Sequence, residues 1–326
     1  MKKILILFLA FTLISSKVDY ESFIFSQFQR FITKYHKKYS SMQEFLSRFQ
    51  VFRLNFKESL NAGSKNYLTG ITKFSDLTRQ EFTLKYLNSD FPAIAFLNKE
   101  NTFKNTIKAA PDSWDWREHN TIAEVKDQGA CGAAYAFSTI CNLESLYAIK
   151  KSKIVPLSMQ YIIDCDPYSS GCSGGFIDST FKWLIENGGH LMSEADYPYK
   201  GTKGTCKADP SKYIDMTVTG YTKVSTDENE IKEVLYNTGA LIAGVNGNAL
   251  QTYSHGIIDL SSSQCPPSGI NHVVNIVGYG NDSGLDYWIC RNSWGNAWGE
   301  SGYFRISRGK GTCGINLYVL TGTVSF

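Results

Sequence analysis

The stretch "KDQGACGAAYAFS", from Lys126 to Ser138, has the residue types that lead up to a catalytic cysteine, but it lacks that cysteine. A glutamine, a cysteine suited to a disulfide and a helix-forming run follow one another in order. Ala134 stands where the nucleophile would be. A methyl group cannot attack a carbonyl carbon, so the stretch belongs either to a protease that cannot cut or to a segment that was never catalytic.

A cysteine nucleophile places defined demands on its neighbours. The thiol pKa of about 8.5 has to fall for the thiolate to exist at neutral pH. A histidine forms the ion pair and later protonates the leaving amine, and a third polar group orients the imidazole. A side-chain amide and a backbone N–H stabilise the oxyanion, and a position at the start of a helix adds the favourable end of the helix dipole.

The composition is that of a folded protein of moderate size. Of its 326 residues, 43% are hydrophobic, which is enough for one large domain or for two lobes with an accessory segment. The 33 basic and 30 acidic residues leave a net charge of +3 without a run of like charge. We therefore expect no nucleic-acid partner.

The N-terminus has the pattern of a secretory signal peptide. Two lysines precede an apolar stretch from Ile4 to Ile14, and two serines follow it. This stretch is too short to span a bilayer, and the pattern predicts cleavage after about residue 16. A buried N-terminal helix is the other interpretation. No later stretch could span a membrane, so we expect a protein that is secreted or resides in the lysosomal or vacuolar lumen.

The cysteines separate two parts of the chain. All eight lie beyond residue 130, so the first 130 residues include a unit of a different kind. In an oxidising compartment several cysteines should pair. The segment "CDPYSSGC" and the scattered histidines provide no convincing ligand set for zinc, so no metal is expected.

Periodicity predicts helices first and strands later. Residues 23–60 have apolar residues at three- and four-residue steps, with Glu44 and Arg48 as an i,i+4 pair. A polar linker follows at about residues 88–108, and "APDSWDWRE" opens the second unit. There, an amphipathic helix is predicted at 133–150 and a second helix near 179–186. Strands are predicted at "HVVNIVGYG", "DYWICRNSW" and "GYFRISRG", which are rich in β-branched and aromatic residues. This order indicates an α+β protein with a helical lobe and a β lobe.

Four blocks in order, "QGACGAAYAFS", "GCSGG", "GINHVVNIVGYG" and "YWICRNSWGNAWGESGYFRI", resemble the papain family of cysteine peptidases. The N-terminal unit resembles the propeptide of the family's cathepsin L-like branch. Its two patterns are matched by Glu44, Arg48, Phe52 and Asn55, and by Gly70, Thr72, Phe74 and Asp76. The resemblance implies a papain-like fold of a helical lobe and a β-barrel-like lobe, behind a helical inhibitory propeptide. The implied divisions are a signal peptide at 1–16, a propeptide at 17–109 and a peptidase domain at 110–326.

The resemblance also implies a role for each site residue. Gln128, six residues before Ala134, matches the oxyanion glutamine, and His272 in "NHVV" matches the general base. Asn292 in "RNSWG" matches the residue that orients the imidazole, and Trp294 the residue that shields their hydrogen bond. Outside this resemblance, the histidine could be structural, and the asparagine and tryptophan could be turn and core residues.

No neighbouring residue is a suitable replacement nucleophile. Cys131 lies three positions too early, Ser138 lies one helical turn too late, and a tyrosine such as Tyr135 is a poor acyl acceptor. With no thiolate beside it, His272 is expected to titrate as an ordinary, partly shielded imidazole.

The resemblance implies the disulfides Cys131–Cys172, Cys165–Cys206 and Cys265–Cys313. In the chain-entropy model each would contribute about 3–4 kcal/mol to the free energy of unfolding. Cys141 and Cys290 remain, and their places on a helix face and in a strand favour inert core thiols.

The cleft implied by the resemblance could still hold a peptide. Gly174 and Gly175 would offer a backbone edge for strand-type pairing. An apolar specificity pocket, with Tyr318 narrowing its floor, would be lined by Phe176, Ile177, Gly244, Ile270 and Tyr318. These could equally be ordinary core residues. The expected partners are a peptide or protein ligand and the chain's own propeptide, in a monomer without a cofactor.

Ala134 leaves three interpretations open. The chain is a natural pseudoenzyme, an engineered alanine variant of an active secreted or lysosomal endopeptidase, or a structural or signalling protein that retains its propeptide. Ala133 and Tyr135, where the family usually has serine and tryptophan, favour a natural pseudoenzyme, since an engineered change would normally alter one residue.

Overall fold

The computed structural model describes residues 19–62, 66–87 and 108–326. The predicted signal peptide and nearly all of the predicted linker lie outside these ranges. Within them, no helix is long and apolar enough to cross a bilayer.

The N-terminal domain is built on two helices, α1 over residues 19–34 and α2 over Met42–Ala62. The helical character predicted over residues 23–60 is confirmed, and the chain turns between the two helices at His36, whose φ is 49°. Phenylalanines dominate the cluster between the helices, which buries Ile24, Phe28, Phe31, Phe52 and Phe56. This domain has a small core of its own because aromatic side chains bury much apolar area per residue.

The predicted Glu44–Arg48 pair is replaced by two other contacts. Glu44 accepts hydrogen bonds from the backbone and hydroxyl of Ser40, just before α2. Arg48 instead donates to Glu81 at 2.8 Å and to the carbonyl of Asp76. Arg48 therefore ties α2 to the next segment rather than to its own helix.

A strand and a helix connect this domain to the rest of the chain. β1, Tyr67–Thr69, pairs antiparallel with the later strand Tyr253–Ile258. The helix α3 spans Arg79–Tyr86. A capping box between Thr78 and Glu81 begins α3, because each residue satisfies an amide of the other. The N-terminal domain thus adds a strand to the sheet of the C-terminal domain.

The helical lobe contains α4 over Ala134–Lys151, α5 over Met159–Cys165 and α6 over Ile177–Glu186. The predicted bounds of α4 and α6 differ from these by one or two residues. The predicted amphipathic character of α4 is wrong, because its first twelve residues are all buried, including Ser138, Asn142 and Glu144. The β lobe lies against it, and Asn275 donates to the carbonyl of Ser138 at 2.9 Å.

The remaining elements are β2 (Trp114–Asp115), β3 (Thr217–Lys223), α7 (Glu228–Thr238), β4 (Leu241–Val245), β5 (Tyr253–Ile258), β6 (His272–Asp282), β7 (Leu285–Arg291), β8 (Tyr303–Ser307) and β9 (Val319–Ser325). The strands form one sheet in the order β1-β5-β8-β7-β6-β4-β9-β3, with β2 paired to β6. The three strands predicted from sequence are β6, β7 and β8.

Three disulfides fix the loops of the two lobes. They join Cys131 to Cys172, Cys165 to Cys206, and Cys265 to Cys313. The first holds the approach to α4 against the loop before α6, and the backbone N–H of Gly132 donates to the carbonyl of Cys172 at 2.8 Å. Cys141 and Cys290 are free and buried.

Candidate active site

Gln128 connects the approach to α4 with the chain that leaves β7. Its Nε2 donates to the carbonyl of Cys131 at 2.9 Å, and its Oε1 accepts from the hydroxyl of Ser293 at 2.5 Å. Its backbone N–H donates to the carbonyl of Ser293 at 2.8 Å. The glutamine side chain is fully buried, so its amide is held in one orientation.

Asn292 is the next group in this hydrogen-bonded chain. Its Oδ1 accepts from the backbone N–H of Ser293 at 2.8 Å and lies 2.8 Å from Nε2 of His272. Because Oδ1 only accepts, Nε2 of the imidazole carries the hydrogen. The other ring nitrogen, Nδ1, is then the one with a free lone pair.

His272 is the first residue of β6 and is fully buried. Burial lowers the pKa of His272 to about 4, against the opposing effect of the hydrogen bond to Asn292. The expectation of an ordinary, partly shielded imidazole is therefore wrong, because desolvation disfavours the charged ring. Trp294 stacks on the imidazole with ring centres 4.7 Å apart, and this indole is also fully buried.

Ala134 is the first residue of α4 and is 6% exposed. Ala133 precedes it without a side-chain cap. Ala134 packs in the same apolar cluster as Ile270 and Val273, which lie on either side of His272 in the chain. Gln128, Asn292 and His272 therefore belong to one hydrogen-bonded chain that contacts the approach to α4, and residue 134 at the start of that helix carries only a methyl group.

The other candidates for a nucleophile are engaged or buried. Cys131 is in a disulfide, and Ser138 lies buried inside α4. Burial raises the pKa of the thiols of Cys141 and Cys290, which keeps both protonated. Within residues 19–62, 66–87 and 108–326, no group of three metal-ligating side chains could hold an ion.

The predicted backbone edge lies beside α4. Gly174 has a φ of 114°, which favours glycine. A Cβ on Gly175 would lie 2.7 Å from Oγ of Ser169 and 2.8 Å from Cε2 of Tyr135, so no side chain fits there without a shift. Both glycines are buried, and the next residue, Phe176, is half-buried.

The residues predicted to line a pocket lie close together. A Cβ on Gly244 would lie 3.0 Å from Ile270 and 3.3 Å from Tyr318. Ile177, Ile270 and Tyr318 all belong to the apolar cluster of the helical lobe.

One end of this predicted pocket is polar rather than apolar. The hydroxyl of Tyr318 donates to the carboxylate of Asp178, which also forms an ion pair with Lys223 at 2.8 Å. Burial and this carboxylate raise the pKa of the Tyr318 phenol well above its usual value. Sequence reasoning missed Asp178 and Lys223, since neither belongs to one of the recognised blocks.

The N-terminal domain covers the outer side of Trp294. Phe74 and Phe82 meet the indole edge-on, with ring centres 5.0 Å and 5.4 Å away. Lys73 donates to the carbonyl of Trp294 at 3.0 Å and forms an ion pair with Asp127 at 2.6 Å. The motif "GITKFSD" signalled Phe74, whereas nothing in the sequence signalled the contacts of Lys73 and Phe82.

Residues 110–323 match the family described as papain family cysteine protease, and residues 28–82 match the cathepsin propeptide inhibitor domain. The chain belongs to the papain family of cysteine proteases. It is 39% identical to a viral cathepsin of Adoxophyes honmai nucleopolyhedrovirus over 303 residues, which cover 89% of this chain and 88% of that protein.

Two solved structures extend the comparison. Digestive procathepsin L 3 of Tenebrio molitor superposes with a TM-score of 0.79 at 33% identity, over 92% of this chain and 99% of that one. Bromelain from Ananas comosus in complex with the E64 inhibitor matches 65% of this chain and 99% of its own, with a TM-score of 0.60 at 39% identity. This papain-family chain therefore has the α+β fold of the family behind a helical propeptide inhibitor domain.

Proposed function

We propose that this chain is a catalytically silent papain-family protein whose cleft holds a peptide or protein ligand without cutting it. The observation that carries the proposal is the intact chain of hydrogen bonds Gln128–Ser293–Asn292–His272, beside a helix that begins with Ala134. The groups that would orient a base and stabilise an oxyanion are present. The atom that would form the acyl-enzyme is absent.

The roles proposed for the site residues follow from their positions. His272 would be the base, Asn292 would orient it, and Gln128 would supply the side-chain donor of the oxyanion site. Without a nucleophile this machinery cannot form the covalent intermediate on which the family's chemistry depends. Loss of a member of a catalytic triad typically lowers kcat by about 10⁴–10⁶-fold.

A ligand in this cleft would be an extended peptide. Its backbone would pair with the edge at Gly174 and Gly175, and a side chain would enter the pocket formed with Ile270 and Tyr318. The E64 complex of bromelain supports a cleft that accepts small ligands, because that protein shares 39% of its sequence with this one. Ile177 and Ile270 would favour an apolar side chain, with Tyr318 narrowing the floor of the pocket.

Processing of the chain is part of the proposal. Residues 1–16 would be removed as a signal peptide, which places the protein in the secretory pathway, either outside the cell or in the lysosomal or vacuolar lumen. Residues 17–109 would act as the inhibitory domain of the peptidase-like domain at 110–326. A chain that cannot cut itself would keep this domain until another protease removes it, so the mass of the secreted chain reports on the step.

The same structure would result if Ala134 had been introduced into an active cysteine endopeptidase. The neighbouring Ala133 and Tyr135 favour a natural loss. The sequence of codon 134 in the source gene decides between the two origins.

Turnover is the first test. A fluorogenic dipeptide substrate with an apolar residue two positions before the cut is incubated with the protein, before and after removal of the N-terminal domain. We expect no turnover above a protein-free blank. Turnover that a thiol-directed epoxide blocks would show that another cysteine serves, and would overturn the proposal.

Ligand binding is the second test, with a matched pair of glycine variants. Gly175→Ala should abolish binding of an extended peptide, because the new Cβ would displace Ser169 or Tyr135. Gly220→Ala on β3 should leave binding unchanged, because its Cβ would meet Thr323 at an ordinary 3.7 Å. Equal loss of binding in both variants would contradict a ligand at the proposed edge.

A further inference from the structure

We propose that the centre without a nucleophile binds the free C-terminal carboxylate of a peptide in the cleft, and that His272 takes up a proton when the carboxylate binds. This inference rests on the proposed function and names the ligand class of the same site. A peptide of this kind is the product of a proteolytic cut made elsewhere. The chain would then be a receptor for cleaved peptides.

Unused hydrogen-bond donors favour an anion at the start of α4. The helix has 18 residues, no side-chain cap at Ala133 and no acidic residue in its first turn. The N–H groups of a first helical turn and the helix dipole attract negative charge. Gln128 adds a second kind of donor. The described contacts use one of its two Nε2 hydrogens, the one donated to the carbonyl of Cys131, which leaves the other for a ligand.

An unpartnered atom of His272 independently points to a ligand. Its Nδ1 is buried and has no hydrogen-bond partner among the described residues. Its Nε2 already donates to Asn292, so Nδ1 holds a lone pair that no neighbour uses. A buried polar atom without a partner is costly. A carboxylate oxygen satisfies the ring once a proton from solvent has joined Nδ1.

The loss of the nucleophile is what makes this site suitable for an anion. In a relative with a cysteine, a thiolate beside the imidazole would repel a carboxylate, whereas the methyl group of Ala134 does not. A carboxylate gains both the charge-assisted hydrogen bond to the imidazolium and the helix dipole. A C-terminal amide can donate to the neutral Nδ1, but it brings no charge and needs no proton.

No described charged side chain competes for the imidazole. Its pKa responds to burial and to Asn292 alone. Trp294 stacks on the ring, and Val245 of β4 pairs with His272 in the sheet. The first turn of α4 carries no acidic residue. Lys73, which donates to the carbonyl of Trp294, forms an ion pair with Asp127, so these two charges offset each other. Proton uptake on binding can therefore be assigned to His272.

In the full-length chain the N-terminal domain closes this site. A Cβ on Gly247 would lie 2.8 Å from both Cβ of His272 and Cδ2 of Leu87, so Leu87 packs beside the start of β6. The imidazole is fully buried. The carboxylate is expected to enter only after the N-terminal domain has left.

The experiment compares two peptides of one sequence that end in a carboxylate or in an amide. The full-length protein, with a site-specific protease sequence inserted between residues 88 and 107, is folded, cut and freed of its N-terminal domain. The bromelain structure matches this chain over 99% of its own length but over only 65% of this chain. A protein of that shorter length was therefore solved as a folded structure, which supports the stability of the cut protein. Near-UV circular dichroism checks the fold.

Titration calorimetry at pH 6, in two buffers of different protonation enthalpy, measures both affinity and proton uptake. We expect the carboxylate peptide to bind about tenfold tighter than the amide peptide and to take up protons, whereas the amide takes up none. His272→Gln should remove the proton uptake and the preference for the carboxylate peptide. His255→Gln, on an exposed histidine of β5, should change neither.

The remaining outcomes separate the two proposals. If both peptides bind equally well without proton uptake, the carboxylate inference is overturned and the proposed function stands. If neither binds, both are overturned. Equal affinity of the carboxylate peptide for the uncut chain would contradict a site beneath Leu87. Should His272→Gln fail to fold, Gln128→Ala serves instead, and we expect it to weaken the carboxylate complex while proton uptake persists.

Discussion

The imidazole Nε2 of His272 lies 2.8 Å from Oδ1 of Asn292, and both residues are buried. In a working peptidase this bond holds the base toward the thiol. Here the same bond holds an imidazole whose other nitrogen has no hydrogen-bond partner among the described residues. Asn292 and Trp294 therefore hold the imidazole of His272 in place through a hydrogen bond and a ring stack.

His272 should make the full-length protein less stable in acid. Unfolded histidine binds a proton below pH 6.5, whereas the folded residue resists protonation until its pKa of about 4. Unfolding takes up a proton in that window, so the free energy of unfolding falls as pH falls. The contribution of His272 is about 3 kcal/mol between pH 6.5 and pH 4.

Urea unfolding between pH 7 and pH 4.5 measures this contribution. The His272→Gln variant should show a smaller loss of stability over the same pH range, and His255→Gln should behave as the parent protein. An NMR titration that places the pKa of His272 near 6.5 in the full-length chain would contradict the structure.

Phe74 should hold the N-terminal domain on the peptidase-like domain. Its side chain is fully buried and contacts Phe82, Tyr86 and Trp294. Phe74→Ala removes a buried ring, at a cost of about 3 kcal/mol. After the chain has been cut, we expect the Kd for the released N-terminal domain to rise by about a hundredfold.

The matched control for Phe74 is Phe23→Ala on α1, because Phe23 is 50% exposed. This variant should leave the Kd within a fewfold of the parent value. An equal effect of the two variants would show that the contact with Trp294 does not decide the docking.

The two free thiols should not react with thiol reagents in the native protein. Cys141 and Cys290 are almost fully buried, and burial raises the pKa of both. A thiol reagent such as iodoacetamide should label neither in the folded chain and both in urea. Rapid labelling of the native protein would mean that one of them is accessible and would reopen the question of a substitute nucleophile.

The sequence predicted several helices and strands correctly, because their patterns are local. The predicted bounds of α4 lie within one residue of the observed ones, and β6, β7 and β8 follow from runs of β-branched and aromatic residues broken by glycines, which are local features. The polar end of the pocket was missed because Tyr318 and Asp178 are separated by 140 positions.

The same reason explains the burial of α4 and the docking contacts. Glu144 and Asn142 look like solvent-facing residues of an amphipathic helix until the β lobe covers them. Lys73 meets Asp127 only after two domains have packed together. Such contacts depend on tertiary packing, which periodicity alone does not encode.

The Ala134→Cys variant restores the thiol at the start of α4. Its activity shows whether the nucleophile is the one group that the centre lacks. In the cut protein, the introduced thiol would lie at the start of α4 and beside His272, so its pKa should fall. We expect Tyr135 to limit the restored activity, because the resemblance implies a tryptophan at this position. We expect turnover below that of an active relative, improved by Tyr135→Trp. Ala136→Cys, at a fully buried position two residues further along α4, is the control.

The decisive measurement is the mass of the tryptic peptide that contains residue 134 after treatment with a thiol-directed epoxide. We expect one adduct per folded molecule in Ala134→Cys and none in the parent protein or in Ala136→Cys. A folded, cut Ala134→Cys/Tyr135→Trp protein that takes up no epoxide at residue 134 would contradict this expectation, and would show that the centre has lost more than its nucleophile.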